Sequence, residues 1–266
     1  KMKTCLLIID PQNDFCEKKG SLFVPGADND IKNLSKFIRK NKYYIDSVFV
    51  SLDTHNSNDI AHPNFWVNAE GNKPDPFTMI TKEDLKSGKW KPFFSVFNMW
   101  AEEYLDGLEK KGRFPLVIWP VHCLTNSWGW QIPDALKKSI KLWEDVNTLK
   151  ASYYNKGENI FTENYSLFEA EYPYPEDKTT FFNTGLANTI KGFDEIIIGG
   201  EARTHCVLNS IRSLVEHFGD DIARKITLLD DATSDVQVPQ AIEFADTYFG
   251  ELEAKGMSIR TTKDRI

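Results

Sequence analysis

The chain has 266 residues, of which 41% are hydrophobic, and this is enough for one large α/β domain or for a core with an insertion. Its formal net charge of −7 gives no overall basic surface, which argues against nucleic acid and anionic membranes as partners and favours a small-molecule substrate. No apolar run approaches the roughly 18 residues of a membrane span. A strand begins within the first few residues, so we expect no signal peptide and a cytoplasmic protein. The four cysteines lie far apart and are expected to be free thiols.

Short β-branched and aromatic runs alternate with longer segments of helical periodicity, which predicts an α/β fold with a mostly parallel sheet covered on both faces. The predicted strands are 4–10, 46–53, 115–120, 149–155, 195–200, 225–231 and 257–262. The predicted helices are 29–42, 132–143, 182–192, 206–218 and 238–254.

One region, at about 63–113, breaks this alternation, and we interpret it as an insertion over the sheet edge within a single domain spanning 1–266. Its aromatic residues are expected to form a small core of their own; a substrate-pocket wall and a dimer contact are the alternatives. These residues are Phe65, Trp66, Phe77, Trp90, Phe93, Phe94, Phe97 and Trp100.

Sites in open parallel sheets lie beyond the carboxyl ends of the strands, which draws attention to Cys206 and Asp10. Cys206 opens a predicted helix, where the macrodipole favours a thiolate and the turn's N–H groups could receive an oxyanion. Asp10 ends a buried strand and could exchange a proton with the thiol and with a leaving amine. A buried apolar role for the cysteine and a turn-capping role for the aspartate are the alternatives from these segments alone.

A metal site is indicated by Asp53 and His55, which stand two apart at a strand end and therefore share a face. His122 follows another predicted strand and could complete an Asp/His/His set with open positions. Asp59 and His62 could join the shell or cap the loop. Polar strand-end pairs without a metal are also common, and such a pair is the alternative interpretation.

Five segments in this order resemble the nicotinamidase family of the isochorismatase-like cysteine hydrolase superfamily: LLIIDPQNDFCEKKGSLFVPGAD, SLDTH, WPVHC, KGENIFTENYSLFEA and GEARTHCV. The resemblance implies a Rossmann-like three-layer sandwich with a six-stranded sheet, and hydrolysis of nicotinamide to nicotinate and ammonia. It also implies a catalytic triad and a set of metal ligands, and these are Asp10, Lys156 and Cys206 for the triad and Asp53, His55 and His122 for the metal. Without the resemblance, Lys156 would be assigned to a solvated loop.

The resemblance carries further expectations for the site. It implies a cis peptide bond at Glu201-Ala202 and an oxyanion hole formed by the backbone N–H groups of Ala202 and Cys206. Phe15 and Trp119 match positions beside the family's pocket and could sandwich the substrate ring, with ordinary core packing as the alternative. One divalent metal is expected, Zn²⁺ first, with Fe²⁺ and Mn²⁺ as alternatives. The family often self-associates, so a homo-oligomer is compatible with the sequence.

The chain also departs from the family pattern. The segment LTNSWGW after WPVHC keeps only Gly129 of the usual turn, Asp59 stands where the family often has histidine, and His205 precedes the cysteine in place of an aromatic or aliphatic residue. Two alternatives to a nicotinamidase therefore stay open: a cysteine hydrolase acting on another small amide or carbamoyl group, and a non-catalytic binding paralogue.

Overall fold

A computed structural model describes residues 2–264 of the chain. Within that range the strands, in chain order, are β1 (Thr4–Ile9), β2 (Ser47–Asp53), β3 (Trp66–Val67), β4 (Met79–Ile80), β5 (Lys91–Pro92), β6 (Leu116–Val117), β7 (Ser152–Lys156), β8 (Glu195–Gly200), β9 (Ile226–Leu229) and β10 (Ser258–Arg260). The α-helices are α1 (Asn13–Cys16), α2 (Ala27–Asn41), α3 (Lys82–Lys86), α4 (Asn98–Lys110), α5 (Asp134–Asn147), α6 (Thr184–Lys191), α7 (Leu208–Phe218) and α8 (Pro239–Ala254). Over the same residues, no helix combines the length and apolar character that a membrane crossing requires.

The central sheet has six strands in the order β10-β9-β8-β1-β2-β7, and all five strand pairs are parallel. Parallel neighbours need crossover connections, and these are helical here, which covers both faces of the sheet. The predicted α/β class with a six-stranded sheet is therefore confirmed. Because every strand points the same way, the last residues of β7, β2, β1 and β8 meet at one edge of the sheet.

Two hydrophobic cores lie on opposite faces of this sheet, as the alternation along β1 requires. Leu7 and Ile9 belong to the core that α4, α6, α7 and α8 cover, whereas Leu6 and Ile8 belong to the core under α2 and α5. All residues of β1 are buried, which explains why this strand reads as a continuous apolar run. The strand is thus held from both sides, and Asp10 follows it directly.

The prediction of a sheet strand at 115–120 is wrong. Only Leu116–Val117 is a strand, and it pairs antiparallel with Met79–Ile80 outside the central sheet. Pro115 and Pro120 flank the segment, and a proline supplies no N–H to a strand ladder, so the segment does not fit a central position. The place beside β2 is taken by β7.

The 63–113 region contains α3, α4 and the short strands β3, β4 and β5. Strand β3 pairs antiparallel with β5, and β4 pairs antiparallel with β6, which lies just after the region. The region does not form a core of its own. Phe65 and Trp66 are buried in the same core as Leu7 and Ile9. Phe93 and Phe94 instead stay exposed. The expectation of a separate small core is therefore wrong, because the first aromatics of the region continue the main core.

Cys206 lies one turn before α7, in a π-helical turn at Arg203–Val207. The Ala202 carbonyl accepts from the N–H of His205 and from that of Val207, each at 3.1 Å. The predicted helix start at Cys206 is thus displaced to Leu208. The Ser210 hydroxyl donates to the Cys206 carbonyl at 2.7 Å and holds the cysteine within this turn.

Candidate active site

Four polar side chains meet where adjacent strands of the central sheet end. Asp53 and Lys156 are the last residues of β2 and β7 and are register partners, Asp10 follows β1, and Cys206 follows β8 through a short turn. All four are buried. The parallel arrangement therefore brings together residues that are far apart in the chain, as the strand-end positions predicted.

The Lys156 ammonium is the centre of this cluster. Its Nζ lies 2.9 Å from Asp10 Oδ2 and 3.0 Å from Asp53 Oδ1, and it donates to the Asn164 carbonyl at 2.5 Å. It also lies 3.5 Å from the sulfur of Cys206. Burial alone would lower the pKa of Lys156, but the two carboxylates outweigh it and raise that pKa well above its ordinary value. The lysine is thus a fixed positive charge.

Asp10 is held on its other side by Ser51 of β2. The Ser51 hydroxyl donates to Asp10 Oδ1 at 2.6 Å and accepts from the Asp10 N–H at 2.9 Å. Asp10 has a φ of 42°, an uncommon backbone conformation for a residue other than glycine, and this turns its side chain toward Lys156. Burial raises the pKa of Asp10, although Lys156 opposes that rise. A carboxyl with a raised pKa is suited to accept and return a proton.

The Cys206 thiol is protonated in this environment. Burial raises its pKa well above the ordinary value, and the Lys156 ammonium lowers it only in part. The expected thiolate at a helix N-terminus is thus not the resting state, because the sulfur lies in a desolvated cavity and precedes α7. The Asp10 carboxylate also raises the pKa of the thiol, and Asp10 is the candidate acceptor of its proton.

The predicted metal residues surround Asp53. The Nε2 atoms of His55 and His122 lie 2.9 Å and 3.3 Å from Asp53 Oδ2. His122 directs its Nδ1 at the Pro120 carbonyl, 2.7 Å away, and a donor there leaves the lone pair on Nε2. His55 and Lys156 together outweigh burial and hold the pKa of Asp53 well below its usual range.

Asp59 and His62 are also at this centre, in different roles. Asp59 Oδ2 lies 2.6 Å from Nδ1 of His55, an arrangement in which a carboxylate fixes the tautomer and orientation of a metal-binding imidazole. His62 faces the Asn56 carbonyl through Nδ1 at 3.0 Å, and its Nε2 is 3.2 Å from Nδ1 of His122. Burial lowers the pKa of His62 to about 2, so this imidazole is neutral and has a free lone pair.

The donor atoms fit a divalent metal ion. Those of His55, His62 and His122 lie within 4.8 Å of one another, and so do those of Asp53, His55 and Glu163. Buried imidazole and carboxylate donors suit Zn²⁺, Fe²⁺ and Mn²⁺. Glu163 was not anticipated from the sequence, because it lies in the segment TENYS without any periodic pattern, and its distance along the chain from Asp53 hides their contact.

A small cavity opens between the triad and this group of ligands. It has a volume of about 30 Å³, room for roughly two water molecules. The residues that line it are Phe15, Leu22, Val24, Asp53, Trp119, His122, Glu163, Tyr165, Ala202, His205, Cys206 and Val236. The predicted ring-binding residues Phe15 and Trp119 are therefore placed at the cavity, and none of the aromatics of 63–113 is.

The candidate oxyanion donors are placed beside the nucleophile. The Glu201-Ala202 peptide bond is cis, as the family resemblance implied. Ala202 and Cys206 line the same cavity. His205 lines it as well, with its ring centroid 5.3 Å from that of Tyr165 and 5.4 Å from that of Trp119. Burial lowers the pKa of His205 to about 4, so the imidazole next to the cysteine is uncharged at neutral pH.

The chain is similar to two curated nicotinamidases over most of its length. It is 27% identical to that of Escherichia coli (strain K12) over 263 residues, which is 97% of this chain and 95% of the relative. It is 26% identical to that of Saccharomyces cerevisiae over 234 residues, which is 87% of this chain and 88% of the relative. No protein-family model matches the chain.

Solved structures share the fold. A nicotinamidase/pyrazinamidase of Acinetobacter baumanii matches with a TM-score of 0.66 at 19% identity, covering 99% of this chain and 98% of its own. The yeast nicotinamidase bound to the inhibitor nicotinaldehyde matches with a TM-score of 0.65 at 23% identity, covering 98% and 100%. A pyrazinamidase of Pyrococcus horikoshii in complex with zinc matches with a TM-score of 0.54 at 20% identity, covering 97% and 99%.

The parallel sheet and these structural matches show that the chain shares the fold of solved nicotinamidases and pyrazinamidases. The similarity in sequence to the two curated nicotinamidases indicates an amidohydrolase.

Proposed function

We propose that the protein is a metal-dependent cysteine amidohydrolase that converts nicotinamide to nicotinate and ammonia through a thioester. The observation that carries this proposal is the contact chain from the Cys206 sulfur to Lys156 at 3.5 Å and from Lys156 to Asp10 at 2.9 Å, beside a cluster of buried metal-binding donors. A nucleophile, a proton acceptor and a fixed cation at one cavity are the groups that acyl transfer requires.

In the first half of the reaction, Asp10 accepts the thiol proton and the sulfur of Cys206 attacks the carboxamide carbon. The electron pair of the C=O bond moves to oxygen, and the N–H groups of Ala202 and Cys206 stabilise that oxyanion. When the carbonyl re-forms, the C–N bond breaks, and the amine takes the proton from Asp10 and leaves as ammonia. Lys156 keeps its charge throughout and stabilises the carboxylate form of Asp10.

In the second half, a water molecule attacks the thioester carbon while Asp10 accepts one of its protons. The C–S bond breaks, the acid product forms, and Asp10 returns the proton to the sulfur, so the enzyme regains its starting state. Asp10 therefore acts once as base and once as acid in each half. Its pKa, which burial raises and Lys156 lowers, suits both roles.

Asp53, His55 and His122 would hold the metal, with Asp59 orienting His55 and with His62 and Glu163 as neighbouring donors. When bound, a divalent cation supplies Lewis-acid binding of a substrate atom and polarisation of water. The zinc in the Pyrococcus horikoshii structure supports Zn²⁺ as the first ion to test. Phe15 and Trp119 would contact the two faces of a planar ring, and we propose that the chain works as one domain with 63–113 inserted in it.

The test is ammonia release from nicotinamide by the metal-loaded protein, beside Cys206→Ala and a chelator-treated sample. We expect a kcat/KM of about 10⁴ M⁻¹s⁻¹ or more, lost in both controls. Trapping the acyl-enzyme by rapid acid quench and finding its mass on Cys206 would establish the thioester. The small cavity favours a shorter amide as the second candidate, and activity on small aliphatic amides with none on nicotinamide would replace the proposed substrate.

A further inference from the structure

A second buried carboxyl pair, distinct from the triad, lies behind the turn that carries Cys206. Glu201 follows β8, and Asp30 lies on α2; neither is more than 6% exposed. The two carboxyl groups lie close enough for each to shift the pKa of the other. Ser234 links them further, since its N–H donates to Glu201 Oε2 at 3.2 Å and its hydroxyl donates to Asp30 Oδ2 at 2.5 Å.

The charged side chains around this carboxyl pair are either acidic themselves or already paired with another acidic residue. Asp235 faces Glu201, while Asp28 and Asp231 face Asp30, and the Cys16 thiol of α1 is also near. The guanidinium of Arg203, two residues after Glu201, is paired with Asp235 at 2.7 Å and with Asp246 at 2.7 Å. The lysines beside Asp28 are exposed and lie no closer to it than 3.8 Å. Among residues 2–264, no lysine or arginine is thus paired with either carboxyl to compensate two ionised carboxylates.

The surroundings of one Glu201 oxygen indicate which of the two carboxyl groups carries a proton. In the part of the chain that the structure describes, no donor reaches the buried Oε1 of Glu201. An ionised carboxylate would leave this atom without a partner, whereas a protonated carboxyl needs no donor there and supplies one to Asp30. Two carboxyls that share a site in this way share one proton. Burial first and Asp30 second raise the pKa of Glu201 well above its usual range, and burial raises that of Asp30 to about 6.

The pair is connected to the candidate oxyanion hole through the backbone. The Glu201 N–H donates to the Ile9 carbonyl at 2.8 Å, and the Arg203 N–H donates to the Ser234 carbonyl at 2.8 Å. Ala202 stands between these two anchors, and its carbonyl accepts from the turn that contains Cys206. Fixing the Glu201 side chain therefore fixes Glu201, which precedes the candidate oxyanion hole, and Ala202, whose N–H group belongs to it.

We propose that Glu201 is a positioning residue that is protonated at neutral pH, donates a hydrogen bond to Asp30, and so holds Ala202 in place beside Cys206. The part of this inference that concerns catalysis rests on the proposed function, and the part that concerns the proton does not.

The proton is tested by unfolding, without substrate. Glu201→Gln keeps the shape and a donor toward Asp30 but cannot ionise, and Glu195→Gln, at the other end of the same strand beside Arg260, is the matched control. Since the native state would hold one proton that the unfolded chain releases, the unfolding constant of the wild type should rise relative to that of Glu201→Gln. The rise should be about tenfold per pH unit from about pH 6.5 up to the raised pKa of Glu201 in the folded state. The ratio for Glu195→Gln should stay flat.

The positioning role is tested by kinetics on nicotinamide. Glu201→Gln should keep kcat within about threefold of the wild type, whereas Glu201→Ala should lose about 10²-fold to 10³-fold in kcat with little change in KM, because an oxyanion donor acts in the transition state. A flat unfolding ratio for Glu201→Gln, or an unchanged kcat in a folded Glu201→Ala, would overturn the proposal. A wild type that is inactive on nicotinamide would instead refute the proposed function, and the unfolding series would still decide whether Glu201 carries the proton.

Discussion

Replacing Lys156 by methionine removes the only ammonium that contacts both Asp10 and Asp53 among the described residues, and it keeps the volume of the side chain. Lys156 is buried, so water cannot replace the lost charge. Breaking a buried ion pair by removing one partner costs about 3–5 kcal/mol. We therefore expect the free energy of unfolding to fall by about 4 kcal/mol at pH 8, close to a thousandfold in the folding constant.

The pH dependence of this loss follows from Asp10. The ammonium stays charged at all working pH values, because its pKa is raised well above the ordinary value, so the wild type keeps its contribution as pH falls. In the variant, Asp10 loses its counter-charge and its already raised pKa rises further. A protonated Asp10 needs no cation, so the loss should be smaller at pH 5 than at pH 8. The same protonation removes the base, and kcat/KM should fall by about 10²-fold to 10⁴-fold.

Urea unfolding at pH 5 and pH 8, together with ammonia release, measures both effects. Lys150→Met is the control, because Lys150 is exposed, and surface substitutions usually change stability by no more than about 0.5 kcal/mol. A loss below about 1 kcal/mol at pH 8 with more than a tenth of the activity retained would refute the reasoning, since Lys156 would then not be what keeps Asp10 ionised.

Three further predictions concern other parts of the site. Gly129→Ala should lower stability and metal content, since a Cβ there would lie 2.0 Å from Asp14 Oδ2, which accepts from the Cys123 N–H next to His122. The control is Gly250→Ala in α8, where nothing lies within 4 Å of the added Cβ, and it should lower neither quantity. Equal melting temperatures for the two variants would contradict this prediction. Asp59→Ala should weaken metal affinity by about 10-fold to 100-fold in a competition titration, because His55 loses its orienting carboxylate; unchanged affinity would exclude that role. His205→Phe should flatten the pH dependence of stability between about pH 4 and 6.5. The pKa of His205 in the folded state, about 4, lies below its value in the unfolded chain, so the wild type loses up to about 3 kcal/mol of stability as pH falls through this window. An unaltered slope in the variant would assign this pH dependence to another group.

The sequence determined the positions of the strands and hence the edge at which Asp10, Asp53 and Lys156 meet. Apolar runs with β-branched residues mark buried parallel strands, and the polar residue that ends each run must lie at the sheet's carboxyl edge. The run at 115–120 has a similar composition but is not a strand of the central sheet, because the prolines at its ends supply no N–H to a sheet ladder.

Only the tertiary structure decided which residues act on these side chains. Ser51 on Asp10, Glu163 near Asp53 and Asp30 on Glu201 are each far from their partners along the chain. A contact between distant residues leaves no periodic signal, and whether a carboxyl is ionised depends on the burial and charges around it. The ionisation state of the Cys206 thiol also depends on its surroundings. The sequence pattern predicted this cysteine at the start of a helix, where the helix dipole favours a thiolate. Its protonated state follows from the desolvation of the cavity, a property that exists only once the chain has folded.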